Sequence, residues 1–570
     1  MANTTLLLVA IPLIWLLWGA FNLFTNYQKA SRLRVPLVFA PVSPDNPMWI
    51  AIQTAFPFVF QYVPFQSIPW IRYCRLGWEF HDRCKTHERL GDAWMLVTPN
   101  RNWLYVAQND AAVDIFSRNR DFARPVWMLE MLNVFGPNVS TAEGPEWQRQ
   151  RKLTATPFND QKNVLIWAEA LRQAEDMLRS WLAYGEKGVP STADDSRTLA
   201  LHVLAFAAFQ KSYPFKSWMN QNSSDRPTTY RDSLAIILKN VLIILVLPVK
   251  AFEIPFLPAK WARVGWAVAE FRRYMLAQLA EEKQLAAEGK QGSGNLISNL
   301  LRASDELAQS GQSTRQTGPA RGLKPLTQDE ILGNVFVFNF AGHDTTAISL
   351  GYSMLLMVAH PGVQDWVAEE LNHYLLSDDR QSWKYDEVFP KLKRTLAVLL
   401  ETLRLYNPLP GIPKYTGDQP QVLQANGRDI NIPKDTLVVP NLMALHTHPR
   451  YWGQDSLTWR PSRWIETSDP PTSTLGTRFR TESIMTPPKG SFIAWSEGMR
   501  NCPGKKFAQV EFVATMATVF RNYKARPVVK HGETLDEAKV RVLNVVKNST
   551  VELLLQMKDP DSVAVTWAPR

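Results

Sequence analysis

The chain has 570 residues, with 63 Lys and Arg against 53 Asp and Glu, a net charge of +10, 45% hydrophobic residues and 20% charged ones. A chain of this length and apolar content buries a large core, which excludes a disordered, collagenous or disulfide-scaffold protein. Its three cysteines, Cys74, Cys84 and Cys502, cannot form a disulfide framework and include no C-x-x-C zinc spacing. The positive charge is scattered, with no Lys/Arg run. That argues against nucleic acid as a partner and suits an acidic protein surface or anionic lipid.

Taken in chain order, the first element is Thr5 to Phe24, 20 residues without a charge. As a helix it is about 30 Å long, the thickness of a bilayer core. Twelve of its residues are Leu, Ile, Val or Phe, worth roughly −4 to −7 kcal/mol of insertion drive before costs. No Lys or Arg precedes it, whereas Lys29, Arg32 and Arg34 follow. The positive-inside rule then leaves the body of the protein in the cytosol. A cleaved signal peptide is the competing reading, but the basic n-region is missing and the apolar core is long. The expectation is a membrane anchor with a basic linker over 1–35, followed by one catalytic domain over 36–570.

Residues 48–65 are apolar, broken by Pro57 and Pro64, and read equally as a surface lying on lipid headgroups or as a buried loop wall. Seven of the 21 tryptophans fall within the first 103 residues. Residues 91–107 predict two short strands around a turn, and helical periodicity dominates from about 145 to 407. The stretch 233–249 is apolar, but Lys239 and Asn240 stand at its centre. A charge there costs about 2.5–3.5 kcal/mol on insertion scales, so a core or channel helix grazing the membrane is expected rather than a second span. Polar runs at 305–326 and 466–489 read as loops. No repeat is present. The fold class expected is mainly α with minor β (α+β), in one large domain.

Chemistry concentrates near the C-terminus. The run WSEGMRNCPG, Trp495 to Gly504, ends a loop on Cys502 and places Pro503 where a helix would begin. A helix N-terminus favours thiolate over thiol. Gly498 and Gly504 would let backbone approach something flat, and Arg500 could meet a carboxylate. These residues resemble the haem-ligand signature F-x-x-G-x-R-x-C-x-G of the cytochrome P450 superfamily, with Trp495 in the Phe position. The resemblance implies haem b with the Cys502 thiolate as iron ligand, donating electron density toward O–O cleavage.

Three further motifs follow the family's order. Glu401 and Arg404 match E-x-x-R, and Arg463 in P-x-R-x completes an implied structural triad. The longest helical pattern, Gln328 to about Ala359, has capping-box spacing at Thr327 and Glu330. In its middle, Ala341-Gly342-His343-Asp344-Thr345-Thr346 resembles A-G-x-D/E-T-T/S. Gly342 costs about 1 kcal/mol in a helix, and a local opening of the helix is the reason expected for it. Asp344 and Thr345 are the implied acid–alcohol pair for proton delivery, while His343 holds the variable position and is read as a non-ligand. Trp147 and Arg151 resemble W-x-x-x-R and lie on one helix face for a haem propionate. Lys414 stands where many relatives carry another propionate-binding arginine, without the arginine fork.

The resemblance covers about residues 90–560. It implies a monooxygenase that inserts one oxygen of O2 into a lipophilic substrate, at the endoplasmic reticulum membrane, as in fungal secondary metabolism. Nothing in the chain resembles a flavin or nicotinamide domain. Electrons are therefore expected from NADPH through NADPH–cytochrome P450 reductase, with cytochrome b5 as a further partner. The alternatives are an isomerase or dehydratase of the same fold acting on a peroxide without reductase, and a non-enzymatic haem carrier or sensor. Four sequons, at Asn3, Asn138, Asn222 and Asn548, are expected to go unused. Pocket walls are expected from 122–141, 233–255, Phe340–Thr345 and Pro410–Pro413.

Overall fold

The computed structural model describes residues 2–55, 68–155, 159–215, 230–247, 251–252, 254, 257–290, 292–313, 324–470 and 472–570, with side chains except those of 2–12, 54–55, 246 and 307–313. The fold is mostly helical with small sheets, as the apolar periodicity predicts. Its axis is the helix Gln328–Ala359, 32 residues long and about 48 Å from end to end. The predicted capping box forms: the Thr327 hydroxyl accepts from the Glu330 N–H at 3.2 Å, and Glu330 accepts from the Thr327 N–H at 2.8 Å. Glu330 also pairs with Arg149 and accepts from Gln150 at 3.2 Å. Those contacts fasten the helix Gly144–Ala155, which carries Trp147 and Arg151, to the start of the long helix.

From Ser349 to Ala359 the long helix is buried on every side, the mark of a central core helix. Leu350, Tyr352 and Leu355 share one apolar cluster with Trp167 and Met177 of the helix Asp160–Leu182 and with Phe512 and Met516 of the helix Lys505–Phe520. The helix Thr192–Phe209 crosses the long helix at its middle.

The predicted strands form as Ala93–Val97 and Asn102–Val106, paired antiparallel. They sit inside a five-stranded sheet ordered Leu37–Phe39, Ala93–Val97, Asn102–Val106, Thr436–Pro440, Lys414–Tyr415. The last strand is antiparallel to its neighbour and sets Lys414 opposite Val438. Trp94 stacks on Tyr105 at 4.7 Å and meets Trp78 edge-on, so these tryptophans are core rather than membrane surface.

The N-terminal segment is helical over Ala2–Ser31. Its residues from Leu13 to Phe24 are largely exposed, and its last turns dock on the sheet, where Asn26 donates to the Thr98 carbonyl at 2.8 Å. Among the described residues no single helix is long and apolar enough to cross a membrane. Part of the predicted anchor, residues 5–12, lies outside the described side chains. The bent pair Gln328–Ala359 and Pro361–Tyr374 passes that test on composition, and its long member is core.

Three expectations are corrected, and a fourth is tested only in part. The apolar stretch 233–249 is two helices, Tyr230–Lys239 and Val241–Val246, because the chain turns at Asn240, whose side chain donates to the Ile236 carbonyl at 2.8 Å. The polar run at 305–326 begins inside a helix, Leu296–Ser313, whose buried side is Leu296, Ile297, Leu300 and Leu301; its residues 314–323 lie outside the described ones. The run at 466–489 contains a helix, Leu475–Thr481, N-capped by Thr474, and a strand, Ser483–Ile484. Of 48–65, the described part is the helix Pro47–Ala55, which exposes Met48 and Ile52; residues 56–65 lie outside.

Candidate active site

The Cys502 loop is built by backbone hydrogen bonds. The Cys502 N–H donates to the Trp495 carbonyl at 2.8 Å, and Asn501 N–H to Gly498 at 3.2 Å. Gly498 has φ +69°, and a Cβ there would lie 2.6 Å from the Phe116 carbonyl oxygen. Glycine is required by that approach and that dihedral, and the side that a Cβ would take faces the chain at Phe116. The following helix starts at Lys505, with Gly504 at its cap, two residues later than Pro503 would predict.

Cys502 is exposed by accessible area, its exposure being to the cavity that it lines. Burial pushes its thiol above the ordinary range, offset only in part by the N–H groups of Gly504 and Lys505 and by Arg151 and Arg124. The helix terminus alone therefore does not hold a thiolate. A coordinating metal would, because a ligating thiol is deprotonated outright. The other two thiols are buried, Cys74 pushed up to about 12 and Cys84 to about 11, chiefly by burial.

The cavity has a volume of about 490 Å3. Ala341, Gly342 and Thr345 of the long helix form one wall, facing Cys502 and Gly504; Gly411, Ile412 and Pro413 close another, and Trp147, Arg151, Arg124 and Arg500 stand at its margin. Lys414 is behind this wall, 2% exposed, its Nζ 4.9 Å from the centre of the Phe116 ring. Arg151 donates to Asn501 at 2.9 Å and Arg500 to the Ala142 carbonyl at 3.2 Å, with the Arg500 guanidinium 4.4 Å from the Trp147 ring.

Among the described residues, none of Arg124, Arg151, Lys414 and Arg500 makes an ion pair. Each is pushed below its ordinary range, by burial first; neighbouring cations add to this for Arg124, Lys414 and Arg500, bringing Lys414 to about 7 and Arg500 to about 10. Glu143 offsets this only in part for Arg124 and Arg500, and enclosed cations without a paired carboxylate are costly. The arrangement calls for a buried anion beside an apolar slot that ends in a thiol. Haem, a flat apolar ring with two carboxylates and an iron, has that chemistry, and the residues fit it. Arg124 was missed from sequence; the only available signal was an arginine within the predicted wall 122–141.

The long helix separates the two members of the expected acid–alcohol pair. The Thr345 hydroxyl lies in the Cys502 cavity and donates to the Ala341 carbonyl at 2.8 Å. Asp344 faces a second cavity, of about 440 Å3, on the other side of the helix. Burial pushes its carboxyl up, but His343 and Arg197 outweigh this and hold it below the ordinary range. His343 is 5% exposed, faces Arg197 and Asp344, and does not line the Cys502 cavity. No local opening occurs at Gly342: the helix runs unbroken.

Behind the site, Glu401 and Arg404 are fully buried and joined at 2.8 Å, and Arg463 reaches Glu401 at 3.4 Å. Trp464 Nε1 and the Arg460 N–H also donate to Glu401, each at 2.9 Å. Of the expected walls, 122–141 and Gly411–Pro413 line the cavity, but Phe340 and Pro410 do not. The segment 233–255 contributes to the second cavity instead, because the chain turns away at Asn240. Leu204, Phe206, Ala207, Gln210, Leu296 and Asn299 take its place in the wall. The Asn138 sequon is fully buried, its amide donating to the Leu132 carbonyl at 3.1 Å.

Comparison with known proteins agrees with this geometry. The family model Cytochrome P450 matches residues 62–553. The chain is 29% identical over 573 residues to a cytochrome P450 monooxygenase of Arthrobotrys oligospora, covering 96% of each. It is 26% identical over 577 residues to the phomenoic acid biosynthesis cluster cytochrome P450 monooxygenase of Leptosphaeria maculans, covering 93% of each. Among solved structures, a zebra fish cytochrome P450 with progesterone shares the fold, with a TM-score of 0.60 and 19% identity over 86% of this chain and 99% of that one. The chain thus belongs to the cytochrome P450 family of haem-thiolate oxidoreductases, on the monooxygenase branch its fungal relatives represent.

Proposed function

We propose that the protein is a membrane-anchored haem-thiolate monooxygenase that inserts one oxygen of O2 into a lipophilic small molecule of fungal secondary metabolism. The observation that carries this reading is that Cys502 and Thr345 line one apolar cavity together with cations that make no ion pair among the described residues. Haem, when bound, supplies the oxygen activation. Cys502 would ligate its iron, and Arg124, Trp147, Arg151, Arg500 and Lys414 would receive its propionates. Thr345 would hold and pass a proton at its hydroxyl, and the walls would orient the substrate and exclude water. The Glu401–Arg404–Arg463 triad is structural.

Residues 36–570 would form the catalytic domain on a single-pass anchor over 1–35, at the endoplasmic reticulum membrane with the body cytosolic. The exposed apolar run Leu13–Phe24 followed by Lys29, Arg32 and Arg34 supports this. Electrons would come from NADPH–cytochrome P450 reductase, with cytochrome b5 as a second donor. The Leptosphaeria relative, named for a biosynthesis cluster, supports the metabolic setting.

The test is reconstitution in lipid with reductase. NADPH- and reductase-dependent product, together with a red-shifted Soret band in the ferrous–CO form that Cys502→Ser abolishes, is the expected result. Turnover of a hydroperoxide without reductase would instead favour the isomerase or dehydratase reading. Extracts of a producing strain with and without this protein identify the substrate.

A further inference from the structure

The second cavity lies behind the long helix, on the side away from Cys502, and is lined by His343, Asp344 and the charged residues Asp194, Arg197, Lys239, Lys260 and Glu552. At its inner end the His343 ring is held from two sides. Its Nε2 is 3.0 Å from the backbone carbonyl of Arg197. A carbonyl oxygen only accepts, so Nε2 carries a hydrogen. The other nitrogen, Nδ1, is screened from solvent and lies 3.2 Å from Asp344 Oδ1, off the ideal line and with no other partner among the described residues.

In a neutral ring whose hydrogen is on Nε2, Nδ1 is a lone pair, and an ionised carboxylate also only accepts. Two buried acceptors at this separation repel unless a hydrogen lies between them. Arg197 Nε, 4.0 Å from the same Asp344 oxygen, favours the anionic carboxylate. The hydrogen then belongs on the ring. Helix contact fixes the arrangement: a Cβ at Gly342 would stand 3.1 Å from Leu204, and this close crossing brings the Arg197 carbonyl within reach of His343.

We propose that His343 and Asp344 share one proton, resting on the imidazole, and that His343 is thereby the positioning residue that keeps a proton beside Asp344 at the inner end of the second cavity. Passing it on breaks the Nδ1–H bond and forms an O–H bond on Asp344; Asp344, part exposed to the cavity, releases that proton to solvent, takes up another and returns it to the screened Nδ1. The use of that proton rests on the monooxygenase reading, whereas its location does not.

The experiment is nitrogen-15 NMR of the histidine-labelled full-length holoprotein in its diamagnetic ferrous–CO form at neutral pH. His343→Gln identifies the resonance among the nine histidines. Hydrogens on both ring nitrogens of His343 in the wild type, and on Nε2 alone in Asp344→Asn, are expected. A His343 ring with a single hydrogen in the wild type overturns the shared proton. In the reconstituted enzyme, His343→Gln should at least halve the product formed per NADPH and steepen its decline as pH rises. An unchanged ratio and pH profile overturn the positioning role, while the reductase-dependence assay judges the monooxygenase reading separately.

Discussion

Leu204 occupies the space that a side chain at Gly342 would fill: a Cβ there would come within 3.1 Å of Cδ2 and 3.4 Å of Cδ1 of that leucine. The glycine thus serves the crossing of two helices, where the sequence had suggested a local opening. Replacing it by alanine gains about 1 kcal/mol of helix propensity and asks the flexible end of Leu204 to shift by a few tenths of an ångström. Gly342→Ala should therefore leave stability within about 1 kcal/mol of the original. Gly342→Val adds branched bulk at the crossing and should cost about 1–3 kcal/mol. Chemical denaturation of both variants separates the two outcomes; equal losses would show that helix opening, not packing, sets the requirement.

Lys414 gives a pH signature. Burial first, then Arg124 and Arg500, push its folded value down to about 7, whereas an unfolded lysine titrates near 10.4. Between about pH 7 and 10 the unfolded chain binds the extra proton, so stability of the haem-free protein should rise with pH across that window, by at most about 1.4 kcal/mol per unit. Carboxylates bound beside the lysine favour its charged form and should flatten the slope in the haem-loaded protein. Urea titrations of the haem-free protein across this window check the idea. A slope that survives unchanged in Lys414→Met would remove Lys414 as its source.

The buried triad should respond sharply to loss of one partner. All five N–H hydrogens of Arg404 have acceptors: two on Glu401 at 2.8 Å, and the carbonyls of His446 at 2.8 Å, Ser456 at 2.5 Å and Thr458 at 3.3 Å. That full set offsets desolvation, and Arg404→Met would strand the Glu401 carboxylate with a weaker shell. A cost of about 3–5 kcal/mol is expected, with haem content falling alongside. The double variant Glu401→Leu, Arg404→Met should lose less than Arg404→Met alone, because no buried charge is left. Haem content and denaturation midpoints measure both.

What was legible in the sequence was local in spacing. Thr327 with Glu330, Trp147 with Arg151, and Glu401 with Arg404 lie three or four residues apart, so helix geometry alone places each pair on one face. Strands 93–97 and 102–106 followed from two short apolar runs around a turn. The misreadings share the opposite property. Gly498 answers to Phe116 and Gly342 to Leu204, approaches across the fold that no window reveals. Arg124 is a cavity cation only because distant segments converge on it. Asp344 and Thr345 are adjacent in sequence, yet successive helical residues point about 100° apart, enough to send one to each side of the long helix. The stretch 305–313 reads as loop because Gln and Ser mask its helical pattern.

That separation sharpens the test of Thr345. Its hydroxyl donates to the Ala341 carbonyl at 2.8 Å inside the Cys502 cavity. A helical carbonyl has a second lone pair and keeps its backbone partner when the hydroxyl is removed. Alanine is also the better helix former, so Thr345→Ala should fold and hold haem near the original level. If the hydroxyl moves protons into the cavity, the variant should still consume NADPH with reductase and substrate. More of that consumption should end as hydrogen peroxide and less as oxygenated product. Asp344→Asn acts from the other side of the helix, where the carboxylate faces Arg197 and solvent, and should slow NADPH consumption rather than divert it. The measurement is product and peroxide formed per NADPH oxidised, together with the rate of oxidation. If Thr345→Ala leaves the ratio of product to NADPH unchanged, the proton enters by another group or by the substrate itself, and the role of Thr345 falls while that of Cys502 stands.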